Sequence, residues 1–226
     1  MAKKPENVVI AIDGPAGSGK STVSKRIAKR LGLIYIDTGA MYRALTLKAM
    51  RGEIDLEDAE TLTALARSTR IDLKEESGIL KVFLDGEDVS TLIRTPLVTN
   101  NVKYIARVPE VRAEMVKSQR AIGERSGAVL EGRDIGTVVF PDADYKFYLD
   151  ADADERARRR HKELSESGEK ISLERIKKDV VERDMSDMNR NVGALKKAYG
   201  AIVIDTTKLS IDGVVEKLLS CIKSNS

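Results

Sequence analysis

The octapeptide Gly14-Pro15-Ala16-Gly17-Ser18-Gly19-Lys20-Ser21 fits the pattern G-x-x-x-x-G-K-[ST], and it limits the fold more than any other part of the chain. The pattern carries meaning only between a strand and a helix, and both flanks are present. Val8-Val9-Ile10-Ala11-Ile12 is an apolar run of strand length, and Val23, Ile27 and Leu31 recur at helical spacing behind the loop. Glycines let the backbone curl so that several N–H groups face one anion. The helix N-terminus adds partial positive charge. Lys20 can reach β- and γ-phosphates, and the Ser21 hydroxyl can bind Mg²⁺. The stretch from Gly14 to Thr22 is therefore expected to hold a nucleoside triphosphate.

Composition narrows what such a chain can be. The 226 residues are 42% hydrophobic, enough for one domain with a substantial core and room for inserted pieces. No apolar stretch approaches a membrane span, so no membrane partner is expected. The N-terminal Met1-Ala2-Lys3-Lys4-Pro5-Glu6 is polar and lacks a signal-peptide core. Cys221 is the single cysteine, which excludes an intrachain disulfide and suits a reducing cytoplasm. His161 is the single histidine and lies near arginines, an unpromising basis for a metal site. Arg156, Arg158, Arg159 and Arg160 form a basic cluster, yet aromatic residues are only 4% of the chain and do not interleave with it. A small phosphorylated ligand is thus favoured over a nucleic acid.

The hydrophobic spacing reads β-α-β-α, an interruption, then more of the same. Strands are expected at Val8–Ile12, Leu33–Ile36, Ala128–Leu130, Tyr145–Leu149 and Ala201–Ile204. Helices are expected at Lys20–Leu31, Ala40–Arg51, around Leu56–Leu65, at Val98–Ile105 and Pro109–Ile122, and along the Ile211–Ile222 stripe. Between them, Ile71–Leu73 and Leu80–Leu84 read as strands joined through Glu75-Glu76-Ser77-Gly78. Asp85-Gly86 reads as a hairpin turn into Glu87–Val89. The fold class is α/β: a P-loop-type, doubly wound, mainly parallel five-stranded sheet flanked by helices. Residues 1–226 form one domain, with a small antiparallel insert at about 66–95. Residues at about 152–180 are highly charged, with a break at Ser165-Glu166-Ser167-Gly168. They read as two short helices too poor in apolar residues for a core of their own, which suits a mobile lid.

Other candidate site residues lie in loops at the carboxyl edge of the sheet, where such folds bind ligands. Asp37-Thr38-Gly39-Ala40-Met41-Tyr42-Arg43 follows the second strand, and Gly132-Arg133-Asp134 follows the third. Arg183, Asp187 and Arg190 are spaced i, i+4, i+7, which places all three on one helical face. Arg112 sits in the first turn after Pro109. Arginines with an interspersed aspartate suit an anionic phosphate beside a sugar or base. Each signal also has a plainer explanation. Asp37 can be an N-cap, Arg183 to Arg190 can be surface pairing, Gly132–Asp134 an ordinary turn, and Arg112 and Arg156–Arg160 solvated faces.

These stretches, together with Ile93-Arg94-Thr95, Pro109-Glu110-Val111-Arg112, Glu131-Gly132-Arg133-Asp134-Ile135-Gly136-Thr137-Val138-Val139-Phe140-Pro141 and Glu182-Arg183-Asp184, resemble the bacterial cytidylate kinase family nearly end to end. The resemblance implies a nucleoside monophosphate kinase with a core, a lid and an enlarged monophosphate-binding insert, using ATP and Mg²⁺ to convert CMP and dCMP to the diphosphates. It implies Arg43, Arg133 and Arg190 on the acceptor phosphate, with Thr38 and Tyr42 shaping that pocket. It also implies Arg112 and Asp134 on the cytosine edge, and Arg183 and Asp187 on the sugar. Asp134 suits the exocyclic amine of cytosine, where uracil has a carbonyl. Lys20, Arg133, Arg190 and a lid arginine among Arg156–Arg160, foremost Arg159, are the expected catalytic cations. Lys103 departs from the family, which often has a small hydroxyl residue near the base there, and this bears on base selectivity rather than on the reaction. A monomer is expected. The competing readings are a kinase for UMP, AMP or a hydroxyl acceptor, and a P-loop switch or nucleic-acid-binding ATPase. No Asn-Lys-x-Asp guanine motif is present to favour a switch.

Overall fold

The alternation of apolar runs and helical stripes becomes, in a computed structural model, an ordered series of strands and helices described for residues 8–76, 79–125, 127–166 and 168–223. Ser77 and Gly78 of the expected connection, Ser167 of the expected break, and the N-terminal Met1–Asn7 lie outside the described residues. In chain order the elements are β1 (Val9–Asp13), α1 (Lys20–Leu31), β2 (Ile34–Asp37), α2 (Thr38–Arg51), α3 (Ala59–Arg67), β3 (Ile71–Glu76), β4 (Ile79–Leu84) and β5 (Glu87–Asp88). They continue with α4 (Pro96–Ala106), α5 (Pro109–Gly123), β6 (Ala128–Gly132), β7 (Tyr145–Asp150), α6 (Ala153–Glu166), α7 (Leu173–Met188), β8 (Ile202–Asp205) and α8 (Ile211–Lys223).

The chain divides into two units, one made of residues up to Tyr35 together with those from Gly123 on, the other Ile36–Ile122. The first holds the main sheet, whose order is β2-β6-β1-β7-β8. β1 runs parallel to β6 and to β7, and β7 runs parallel to β8. After β1 the chain builds one flank of the sheet and later the other, so β1 is where the winding reverses. Ligands bind outside the carboxyl ends of the strands at such a point. Ile10, Ala11 and Ile12 are fully buried, as expected of a strand covered on both faces. α8 closes the sheet with Val214, Val215, Leu218, Leu219 and Ile222.

α6 and α7 differ from the sequence reading in two ways. They are 14 and 16 residues long rather than short. They also share a core of their own, in which buried Ala157, Ile176 and Val180 are joined by Leu164 and Ile171. Five apolar side chains suffice because only one narrow stripe of each helix must be covered.

The second unit holds the antiparallel sheet β3-β4-β5, with Ile71 opposite Leu84 and Glu76 opposite Ile79. α2 lays Ala40 and Ala44 on Val82, Leu84, Val89 and Ile93 of this unit, with Leu47, Ile71 and Leu73 around them. Asp85 takes a positive φ of 50° at the hairpin turn, beside Gly86 at 94°. Among the described residues no helix is long and apolar enough to cross a membrane.

Candidate active site

The loop between β1 and α1 starts with a constraint that only glycine meets. Gly14 has φ +148°, and a Cβ there would stand 2.0 Å from the Leu149 carbonyl oxygen. Gly19 caps α1 in a left-handed conformation, φ 89°, so that the chain can turn into the helix at Lys20. Pro15 and Ser18 are buried, Ala16 is half-buried, Gly17 is exposed, and Ser21 and Thr22 are exposed in the first turn of α1. The Ser18 hydroxyl donates to the Pro15 carbonyl at 3.0 Å. The Lys20 ammonium donates to the same carbonyl at 2.6 Å.

Lys20 is buried, and its amine is pushed down to about 7 by that burial and by the charge of Arg133, against the pull of Glu131 and Asp13. Glu131, at the end of β6, is buried and accepts the Tyr35 hydroxyl. Asp13, the last residue of β1, accepts the Ile135 and Gly136 N–H groups, each at 2.8 Å. Burial pushes its carboxyl up to about 6, even against those two hydrogen bonds.

The turn after β6 carries Arg133 and Asp134. Asp134 is buried. Arg133 donates from Nε to Asp187 at 2.7 Å and from Nη1 to the Gly132 carbonyl at 3.2 Å. Arg190 pairs with the other Asp187 oxygen. Burial would raise the Asp187 carboxyl, but the charges of Arg133 and Arg190 outweigh it and hold it below the usual range. Arg183 is half-buried on α7, near enough for its charge to act on both Asp187 and Lys20. The single helical face expected from the i, i+4, i+7 spacing does not form. α7 ends at Met188 and Asn189 caps it, so Arg190 does not share a helical face with Arg183 and Asp187. Its pairing with Asp187 comes from the chain turning after the helix.

The basic run of α6 is not one solvated face. Arg156 is buried and donates to the Ala151 carbonyl at 2.9 Å, the Ala16 carbonyl at 3.1 Å and Asp184 at 2.6 Å. Arg159 is half-buried and donates to the Thr206 carbonyl at 2.7 Å, to its hydroxyl at 3.2 Å and to the Gly17 carbonyl at 3.5 Å. Arg158 and Arg160 are exposed and pair with Glu155 and Glu163. The Thr206 hydroxyl donates in turn to the Ser18 carbonyl at 3.1 Å.

In the second unit, Asp37 caps α2 by accepting the Ala40 N–H at 2.8 Å and also pairs with Arg43 at 3.2 Å. Capping and arginine positioning thus coexist in one carboxylate. Thr38 and Tyr42 are buried in the first turns of α2. Arg112 is only 3% exposed, so it is not a solvated face residue. It donates to the Ala106 carbonyl at 3.1 Å and lies 5.3 Å from the centre of the Tyr42 ring. Lys103 is exposed, its ammonium 5.1 Å from the ring centre of Tyr104.

Sequence reasoning passed over Asp13, Glu131 and Thr206 as working parts. The available signals were an acid ending an otherwise apolar strand, another acid ending β6, and a threonine just past β8 at the same sheet edge.

Comparison with known proteins bears on this arrangement. A family model described as cytidylate kinase matches residues 10–224. A curated relative of that name from Caldanaerobacter subterraneus subsp. tengcongensis is 50% identical over 219 residues, covering 97% of this chain and 96% of its own length. Another of that name, from a Geobacillus species, is 50% identical over 216 residues, 96% of either chain. A crystal structure of an uncharacterized protein from Eubacterium ventriosum superposes with a TM-score of 0.52 at 14% identity. It covers 96% of this chain and 99% of its own, a likeness of fold alone.

Proposed function

The chain belongs to the cytidylate kinase family, and from that premise we propose that it moves the terminal phosphoryl group of ATP onto CMP and dCMP, forming the nucleoside diphosphates and ADP. The observation that carries the reading is a pairing within one unit. A glycine-built anion loop with a buried lysine stands at the end of β1, and an arginine-bearing turn stands at the end of the adjacent β6. Phosphoryl transfer asks mainly for positioning and charge neutralisation, which these parts supply.

In this reading the backbone N–H groups from Gly14 to Thr22 and the Lys20 ammonium hold the triphosphate. Lys20 exchanges the Pro15 carbonyl for phosphate oxygens as ATP arrives. Arg133 and Arg190, held by Asp187, take the acceptor phosphate, and the family resemblance assigns Arg43 to the same task with Thr38 and Tyr42 beside it. Asp134 accepts the exocyclic amine of cytosine and Arg112 donates to the pyrimidine. Arg183 and Asp187 meet the sugar, and a contact limited to the 3′-hydroxyl admits both ribose and deoxyribose. An acceptor phosphate is already anionic, so its oxygen attacks without a general base. α6 and α7 serve as the lid. Arg156 and Arg159 both reach the phosphate loop, Arg156 at the Ala16 carbonyl and Arg159 at the Gly17 carbonyl. Arg156 is buried and tied to Asp184, which leaves the half-buried Arg159 as the arginine we assign to the transferring phosphoryl group.

Mg²⁺ fits the donor set. Among the described residues no group of three or more histidines, cysteines or acids could hold a metal ion, so no all-protein cage competes. The Ser21 hydroxyl, exposed in the first turn of α1, would hold the ion together with the nucleotide. Its contribution would be to neutralise charge on the transferring phosphates. A cytoplasmic monomer is the form in which we place this activity, in keeping with the single cysteine.

The test is a coupled assay of ADP formation with ATP, Mg²⁺ and a panel of CMP, dCMP, UMP, AMP and simple sugars. CMP and dCMP should dominate. Equal or better turnover of another acceptor, or none with CMP, would replace this reading.

A further inference from the structure

Asp13 belongs to neither of the ligand sets assigned above, yet it is the buried group that fixes the turn after β6. It is 2% exposed. One carboxylate oxygen accepts the Ile135 N–H and the other accepts the Gly136 N–H, each at 2.8 Å and across more than 120 residues of sequence. Two flanking observations make this more than a structural link. The parallel register sets Asp13 opposite Gly132, so the chain leaves the sheet at Gly132 and is caught again at Ile135. Arg133 and Asp134 are the two residues between those anchors.

Ile135 and Gly136 also open a π-helical turn, Ile135–Val139, whose first amides need an outside acceptor. Buried N–H groups without one are costly, so an acid at this position is a requirement of the local backbone. Both carboxylate oxygens serve the turn carrying Arg133 and Asp134. The phosphate loop next to Asp13 in sequence is organised by other partners, namely the Pro15 carbonyl, Lys20 and Thr206.

We propose that Asp13 is a positioning residue for acceptor selection, setting through the Ile135 and Gly136 amides the angle at which Arg133 and Asp134 meet a pyrimidine nucleoside monophosphate. The proposal rests on the CMP kinase reading above. Asp134 can tell an amine from a carbonyl only if its carboxylate lies in the plane of the base edge, and a shift of the turn would blunt that discrimination.

Steady-state kinetics of the wild type, Asp13→Asn and Asp13→Ala with ATP, CMP and UMP test this, with thermal unfolding run alongside. Asparagine keeps the shape but turns an amide donor toward one of the two N–H groups, and alanine removes both acceptors. In Asp13→Asn the KM for CMP should rise by about tenfold, and the preference for CMP over UMP in kcat/KM should narrow by a similar factor. The KM for ATP should stay within about twofold, and Asp13→Ala should extend the same trend. A general strut would move the ATP and CMP constants together. That result overturns the proposal, as does failure of both variants to fold. Wild type that forms no ADP with CMP removes the kinase reading and the proposal with it. Wild type active on CMP, with an Asp13→Asn variant unchanged in CMP KM and base preference, overturns the proposal alone.

Discussion

Arg133 Nε stands 2.7 Å from one carboxylate oxygen of Asp187, a residue 54 positions further along the chain. Asp187 is 4% exposed, and its second oxygen is engaged by Arg190. Two guanidinium groups on one carboxylate leave a net positive charge, held rigidly and largely out of water. A dianionic phosphate is the kind of ligand such a clamp suits.

Asp187→Ala should leave the two arginines facing each other without their shared counter-ion. Unfolding in denaturant should show a loss of about 3–5 kcal/mol, the usual cost of breaking a buried pair from one side. The pH dependence has a definite sign. The Asp187 carboxyl is held below its ordinary range, so its contribution is present above that range and is lost as pH falls through the folded-state value. Wild type should therefore lose stability in acid more steeply than the variant.

Lys20, with its amine pushed down to about 7, makes a separate prediction about protons. A bound triphosphate favours the ammonium form. Nucleotide binding at pH 8 should take up a proton, and binding well below pH 7 should not. Calorimetry at pH 8 in two buffers of different ionisation enthalpy measures the uptake, and Lys20→Ala should abolish it. The same variant should lose on the order of a hundredfold to a thousandfold in kcat, as removal of a charge-stabilising donor does.

Asp134→Ala should lower kcat/KM for CMP by tenfold or more, on the order of 10²-fold at most, with little effect on UMP. The check is the ratio of the two specificity constants. An unchanged ratio would exclude Asp134 from base recognition.

Ile176→Ala cuts into the small core shared by α6 and α7. A buried isoleucine truncated to alanine costs about 2–5 kcal/mol, and here the loss should fall on the helix pair rather than on the sheet. Amide exchange across residues 153–188 should accelerate while β1, β6 and β7 keep their protection.

The parts of this architecture governed by short-range rules were legible in the sequence. The phosphate loop, the boundaries of α1 between Gly19 and Gly32, and the buried run of β1 all follow from local pattern. The antiparallel strands announced themselves through a change of period and the Asp85-Gly86 turn. Counting i, i+4, i+7 through Arg190 failed because spacing does not mark where a helix stops, and Asn189 ends α7 first. The α6–α7 core was missed because Ala157, Ile176 and Val180 are few and scattered among charges. Asp13 could be read as an odd acid in a strand, but its amide partners lie more than 120 residues away and leave no local trace. Arg156 and Arg159 looked alike in a basic run. Only the fold separates the buried one, tied to Asp184, from the one resting on Thr206.

Across a trans peptide, a carbonyl and the next N–H point in opposite directions. The Ala16 carbonyl is gripped by Arg156 and the Ser18 carbonyl by Thr206. The Gly17 and Gly19 amides are thereby turned away from those outer ties by the fold itself. Nucleotide capture should then need little rearrangement of the main chain, and its speed should be governed by diffusion rather than by loop folding.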